Sequence, residues 1–212
     1  MTFTMLSPNR IKQALELPDF NWLTAQKIMA PSPRPLTRPT DKPGHAQIGA
    51  VMVIMFTDET RPMVLLTKRQ GHLRSHPGQI SFPGGKNETG ETLRQTALRE
   101  TREEIGISPV ELTILGRLAT VYIEISDCIV HPFVAWHADV PVCRPAPSEV
   151  ADSFAADINA LNDPTASGQE IKTSSGHPVV TNYFSVNGHK VWGATAMILS
   201  ELLERLKRMS QK

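Results

Sequence analysis

Three glutamates in the stretch TALRETREEIGI, Glu100, Glu103 and Glu104, stand at i, i+3 and i+4. On a helix of about 3.6 residues per turn that spacing gathers their carboxylates on one face. Like charges so placed repel by roughly 0.2–0.5 kcal/mol per pair, so the cluster calls for a counter-ion. A hard divalent cation answers that need: it prefers oxygen ligands, and Mg2+ in particular keeps waters and binds substrate phosphates as well. Ala97, Thr101 and Ile105 recur on a different face, the one expected to pack against a sheet. Just upstream, residues 65–85 read LLTKRQGHLRSHPGQISFPGG and combine Arg69 and Arg74 with Gly78, Gly84 and Gly85. Guanidinium groups fork onto phosphates and glycines allow close backbone approach, so the chemistry is that of an anion site.

Taken alone, an E-x-x-E-E is a solvated helix face and an arginine cluster is a basic loop. The spacing argues for more. Gly85, five residues, Glu91, seven residues, Arg99-Glu100, two residues, Glu103-Glu104, one residue, Gly106 and Ile107 resemble the Nudix box, G-x5-E-x7-R-E-U-x-E-E-x-G-U, with U bulky and apolar. Seven fixed residues at ~6% average usage match by chance on the order of 10⁻⁸ per window. Thr101 departs from the apolar position of the pattern. The upstream run is similar to the coenzyme A pyrophosphatase signature, L-L-T-x-R-[SA]-x3-R-x3-G-x3-F-P-G-G, with Gln70 standing where serine or alanine is usual.

The resemblance implies an α/β fold, the Nudix α/β/α sandwich with a mixed sheet, in which the box helix holds metal beside the FPGG loop. It implies that Glu100, Glu103 and Glu104 hold Mg2+ or Mn2+, that Arg99 and Glu91 orient those carboxylates, and that Arg69, Arg74, Gly84 and Gly85 meet the substrate. The implied reaction is hydrolysis of the diphosphate bond of coenzyme A, and of acyl-CoA derivatives, to 3′,5′-ADP and 4′-phosphopantetheine. The alternative is a Nudix pyrophosphatase for another nucleoside diphosphate derivative, such as a dinucleotide or nucleotide sugar. A non-catalytic nucleotide-binding domain is a third reading, against which the intact R-E-x-x-E-E argues. Nudix sites commonly recruit one more acidic side chain from a late loop as base or extra ligand. Glu124, Asp127, Glu149 and Asp152 are the candidates, and Glu149 ranks first because Ser148-Glu149-Val150 resembles the family stretch.

The chain that must position these groups has 212 residues, a formal net charge of +1, 40% hydrophobic and 20% charged residues. That balance gives no argument for nucleic-acid or membrane binding, and a small-molecule substrate is the expected partner. Cys128 and Cys143 are too few for a disulfide framework. No apolar run approaches roughly 18 residues and the start lacks a signal-peptide core, so a cytoplasmic protein is expected. His131 and His137 lack a partner histidine at i+4 and read as structural.

Residues 1–45 carry no resemblance and are expected as an N-terminal helix, capped by Ser7 before Pro8, and a proline-rich arm; residues 46–212 form the Nudix hydrolase domain. Residues 48–56 and 63–68 predict a strand hairpin, and 112–118 and 128–136 two further strands. A helix is expected over 149–161, a loop over 162–176, and a hairpin turning at Asn187-Gly188. Ile198, Leu202 and Leu206 line one face of a terminal helix, read as core, with a homodimer contact as the alternative.

Overall fold

A computed structural model describes residues 3, 6–73, 76–174 and 176–211. Two short helices come first, α1 (Pro8–Leu15), capped by the Ser7 side chain, and α2 (Trp22–Lys27), capped by Asn21. Strands β1 (Gln47–Asp58), β2 (Arg61–Arg69), β3 (Ile80–Ser81) and β4 (Gly84–Lys86) lead into helix α3 (Leu93–Ile105). Next come β5 (Leu112–Arg117), β6 (Val121–Ile123), β7 (Cys128–His137), β8 (Val150–Asp157) and the single turn α4 (Ile158–Leu161). Strands β9 (Ser167–Ser174), β10 (His177–Val186) and β11 (His189–Trp192) precede α5 (Gly193–Ser210).

The main sheet is mixed. β1 runs parallel to β7, from Gln47 opposite Cys128 to Met55 opposite Trp136, and antiparallel to β2 and β4. Side chains of β1 alternate between two cores: Val53 and Met55 join Ile11, Leu199 and Leu202, whereas Met52, Ile54 and Phe56 join Ala97 and Ile105. A strand covered on both faces needs an unbroken apolar run, which is what 48–56 supplies. Helices α1 and α5 thus cover one face and α3 the other, giving the sandwich with a mixed sheet that the resemblance implied. β9, β10 and β11 form a second, antiparallel sheet. Its tight turn uses Asn187 and Gly188 at φ 48° and 78°, the left-handed pair that a type I′ hairpin requires.

One topological detail creates the site. β1 pairs with β2 only over 55–58, and its first half pairs with β4, with Ala50 opposite Gly85. The FPGG segment, which follows β3, therefore lies in the gap beside β1. Met52 N donates to Pro83 O at 2.9 Å there.

Two expectations fail between residues 149 and 176. Residues 150–157 are not helical: they form β8, antiparallel to β2 with Leu66 opposite Phe154, and only Ile158–Leu161 turns helically. The free edge of β2 offers this segment a complete set of backbone partners, and a sequence with no strong helical stripe takes them. The cap of this turn is Asp157, whose side chain accepts from Asn159 N and Ala160 N. Part of the expected loop is likewise β9, paired along β10. The terminal helix is as read, with Ile198, Leu202 and Leu206 buried in the core.

Candidate active site

Helix α3 is fixed at both ends before it presents any charge. Thr92 and Gln95 form a capping box at its start, and Gly106 at φ 74° closes it in the left-handed conformation that glycine adopts without strain. Ala97, Thr101 and Ile105 are fully buried on its sheet side. Thr101 fits the apolar position because its hydroxyl donates to Ala97 O at 2.7 Å, leaving its methyl group to pack.

The three glutamates of this helix are not equivalent. Glu104 is 2% exposed and accepts from Gly84 N at 3.1 Å, with Arg69 Nη1 3.5 Å from its other oxygen. Glu100 is largely buried, its side chain 14% exposed, and lies directly against Gly85: a Cβ there would stand 2.3 Å from Glu100 Oε1, so residue 85 is glycine for room. Glu103 is 54% exposed and turns outward, a step of about 100° from Glu104 around the helix. The single shared face inferred from spacing is therefore a gradient from buried to solvated.

Arg99 ties the cluster together. Its Nε and Nη2 fork onto Glu91 at 3.2 and 2.9 Å, Nη1 reaches Glu100 at 2.8 Å and Glu103 at 3.0 Å, and Nη2 also donates to Lys86 O at 3.2 Å. One guanidinium thus joins the last residue of β4 to three carboxylates, a role a lysine could not fill. The Arg99 fork holds the Glu91 carboxyl down at about 2. Glu100 and Glu104 move the other way. Burial raises both, against the pull of Arg99 on Glu100 and of Gly84 N and Arg69 on Glu104, and Glu104 reaches about 7. Glu149 adds electrostatic repulsion to both carboxylates.

Backbone bonds bring the segment that carries Glu149 to the end of α3. Arg144 N and Ala146 N donate to Ile105 O and Glu104 O, at 2.7 and 2.8 Å, so the end of α3 anchors the loop before β8. Gln70 N then donates to Glu149 O at 2.8 Å and Gln70 Nε2 to Pro147 O at 2.9 Å. The structure does not bring the other acidic candidates to the cluster. Asp127 is held by Arg38, Lys42 and Tyr122, which keep it near 2. Asp152 is exposed on β8 and accepts from Ser153 N, and Glu124 lies at the rim of a cavity. Arg74 lies outside the described residues. His137 is buried with Nδ1 2.7 Å from Asp139 O, in keeping with a structural role.

The cavity has a volume of about 840 Å³ and includes Arg69, Gly84 and Gly85 in its wall. It continues to residues 30–36, to 122–126 and to the start of α5. Sequence reasoning missed the first of these segments, since nothing in a proline-rich run reports what it will lie across. Arg69 joins cavity to cluster, and its buried Nε has no hydrogen-bond partner among the described residues. Such a donor is costly unless a ligand oxygen meets it.

The donor set fits a hard cation. Among the described residues no three acidic or imidazole groups already converge on one point, because Arg99 and Arg69 hold the carboxylates. Yet the donors are all oxygen, they repel one another, and the buried Glu104 lacks full compensation. A divalent cation would supply the missing charge.

Residues 46–171 match the NUDIX domain family. The chain belongs to the Nudix hydrolases. It is 33% identical over 176 residues to Nudix hydrolase 3 of Caenorhabditis elegans, covering 74% of this chain and 72% of that one. It is 35% identical over 162 residues to the human mitochondrial coenzyme A diphosphatase NUDT8, covering 74% and 68%. The NudL Nudix hydrolase of Pectobacterium atrosepticum is 33% identical over 168 residues, covering 77% and 85%. Among solved structures, the MutT protein of Methanosarcina mazei superposes with a TM-score of 0.54 at 18% identity, over 81% of this chain and 100% of that one, a likeness of fold. The protein is thus a Nudix diphosphatase with the Nudix α/β fold. None of its described helices is long and apolar enough to cross a membrane.

Proposed function

We propose that this Nudix hydrolase cleaves the diphosphate bond of coenzyme A, releasing 3′,5′-ADP and 4′-phosphopantetheine. The observation that carries the reading is the meeting of Arg69, Gly84 and Gly85, all within the L-L-T-x-R to FPGG run, at the junction of cavity and carboxylate cluster. The similarity to a human coenzyme A diphosphatase supports it.

Glu100, Glu103 and Glu104 would hold Mg2+ or Mn2+, which when bound neutralises diphosphate charge and makes water a better nucleophile near neutral pH. The chain's own residues do the rest. Arg99 holds Glu91, Glu100 and Glu103 in fixed orientation, so little reorganisation is left for the reaction. Arg69 offers its Nε, which has no partner among the described residues, to a phosphate oxygen, while Gly84 and Gly85 let the diphosphate approach the backbone closely. Glu149, exposed beside Glu100 and Glu104, accepts the proton of the attacking water.

The test is product analysis with Mg2+ or Mn2+ and coenzyme A, NADH and ADP-ribose side by side. Release of 3′,5′-ADP, with the other two poorer by kcat/KM, is the expected result. Preference for NADH or ADP-ribose would reassign the site to another nucleoside diphosphate derivative.

A further inference from the structure

We infer that the proline-rich segment 30–36 walls a substrate subsite for an aliphatic, amide-containing arm carried on the phosphate away from the nucleotide. The inference rests on the coenzyme A reading for the identity of that arm, and it assigns a role to residues that precede the NUDIX match at 46–171.

Pinning at both ends is the first observation. On the N-terminal side, Gln26 Nε2 donates to the buried Glu201 at 2.9 Å and Ser200 Oγ to Ala25 O at 2.7 Å, joining α2 to α5. Ser32 and Val180 exchange both backbone hydrogen bonds at 2.9 Å, and Asn182 Nδ2 donates to Ile28 O at 2.9 Å. On the C-terminal side, Arg38 forks onto Asp127 at 3.0 and 3.2 Å, and its Nη1 and Nη2 donate to the carbonyls of Lys42, Pro43 and Gly44. Between the two anchors the chain crosses the cavity with Pro31, Pro35 and Leu36 in its wall. Proline limits the freedom of this span, so it behaves as a stiff strap rather than a mobile loop.

The second observation is the chemistry of the space beneath. Ile123, Ile125 and Met197 line the cavity together with the strap. Two aromatic rings of the lining each carry a lysine: Lys172 lies 3.6 Å over Trp192 and Lys42 5.4 Å over Tyr122. The lining around the strap mixes aliphatic side chains with Arg34, Gln47, Glu124 and Ser126, and suits a flexible carbon chain carrying amide groups better than a stacked base. Continuity supplies the third, because Gly84, Gly85 and Arg69 line the same cavity. A ligand with its diphosphate at those residues extends its arm under the strap.

The test uses the full chain and measures binding of the two halves separately by calorimetry, 4′-phosphopantetheine and 3′,5′-ADP, alongside coenzyme A turnover. Leu36→Asp, which places a charge in the aliphatic wall, and Arg38→Ala, which releases the distal anchor from outside the cavity, should each weaken 4′-phosphopantetheine by about tenfold or more. Binding of 3′,5′-ADP should change by less than about twofold, and KM for coenzyme A should rise more than kcat falls. If Leu36→Asp fails to fold by its melting curve, Leu36→Ala reports the same selectivity at smaller amplitude. Equal weakening of both halves, no weakening, or selective loss of the nucleotide half overturns the subsite while leaving the coenzyme A reading intact. A wild-type chain that neither hydrolyses coenzyme A nor binds either half overturns that reading, and the identity of the arm with it.

Discussion

Glu104→Gln should separate the stability of this protein from its activity, in opposite directions. Burial holds the Glu104 carboxyl at about 7 in the folded chain, against an ordinary value of 4.5. A carboxyl raised in the native state stabilises the fold fully below its unfolded value, and that contribution is lost as pH rises through about 7. With the carboxyl moved from 4.5 to about 7, and at about 1.4 kcal/mol per pH unit, the loss between pH 5 and pH 8 is about 2–3 kcal/mol. For a chain of this length that corresponds to a melting temperature lower by roughly 5–10 °C. Glutamine cannot ionise and still accepts the hydrogen bond from Gly84 N, so this component should vanish in the variant. The assay is thermal unfolding in EDTA from pH 5 to pH 8, repeated with saturating Mg2+, together with turnover. The wild-type protein should lose stability toward pH 8 in EDTA and regain it with Mg2+, whereas the variant should do neither and should be catalytically impaired. Parallel pH profiles for the two proteins in EDTA would refute the claim that Glu104 is an undercompensated buried carboxylate.

Gly85→Ala forces the Glu100 carboxylate aside, because the new Cβ would lie 2.3 Å from it. Since the clash is with the far end of a flexible side chain, melting should move little while kcat falls roughly 10–100-fold, as for lost orientation of a metal ligand. Arg69→Ala removes a charge-assisted donor worth about 1.5–3 kcal/mol, so kcat/KM should fall roughly 10- to 100-fold with the fold retained; unchanged kinetics would remove Arg69 from the site. Glu149→Gln should lower kcat and alter its pH profile with both Mg2+ and Mn2+, whereas Asp127→Asn, at the strap anchor, should leave the shape of that profile alone. Identical profiles for Glu149→Gln and wild type would take Glu149 out of the proton transfer.

Much of this site is legible along the chain because the chemistry is local. A helix imposes its own spacing, so Glu100, Glu103 and Glu104 could be assigned to one element, and Arg99 to their company, before any fold was known. The Ser7 cap and the Asn187-Gly188 hairpin are short-range events whose partners lie within a few residues, and they form as read. What the sequence left open are properties that depend on distant neighbours. Burial separates Glu104 from Glu103, although they are adjacent in sequence, because the FPGG strand packs on one and solvent meets the other. Residues 150–157 become a strand because β2 has an edge to fill, a fact invisible in their own composition. Glu149 reaches the cluster through backbone bonds from Arg144 and Ala146 to the end of α3, and Gln70 completes the tether from a third segment. The proline-rich arm reads as an extended connector until Arg38 meets Asp127, 89 positions away, and turns it into the wall of a cavity. Residue type and spacing decide which groups can take part; only tertiary packing decides which are dry, which are paired and what they face.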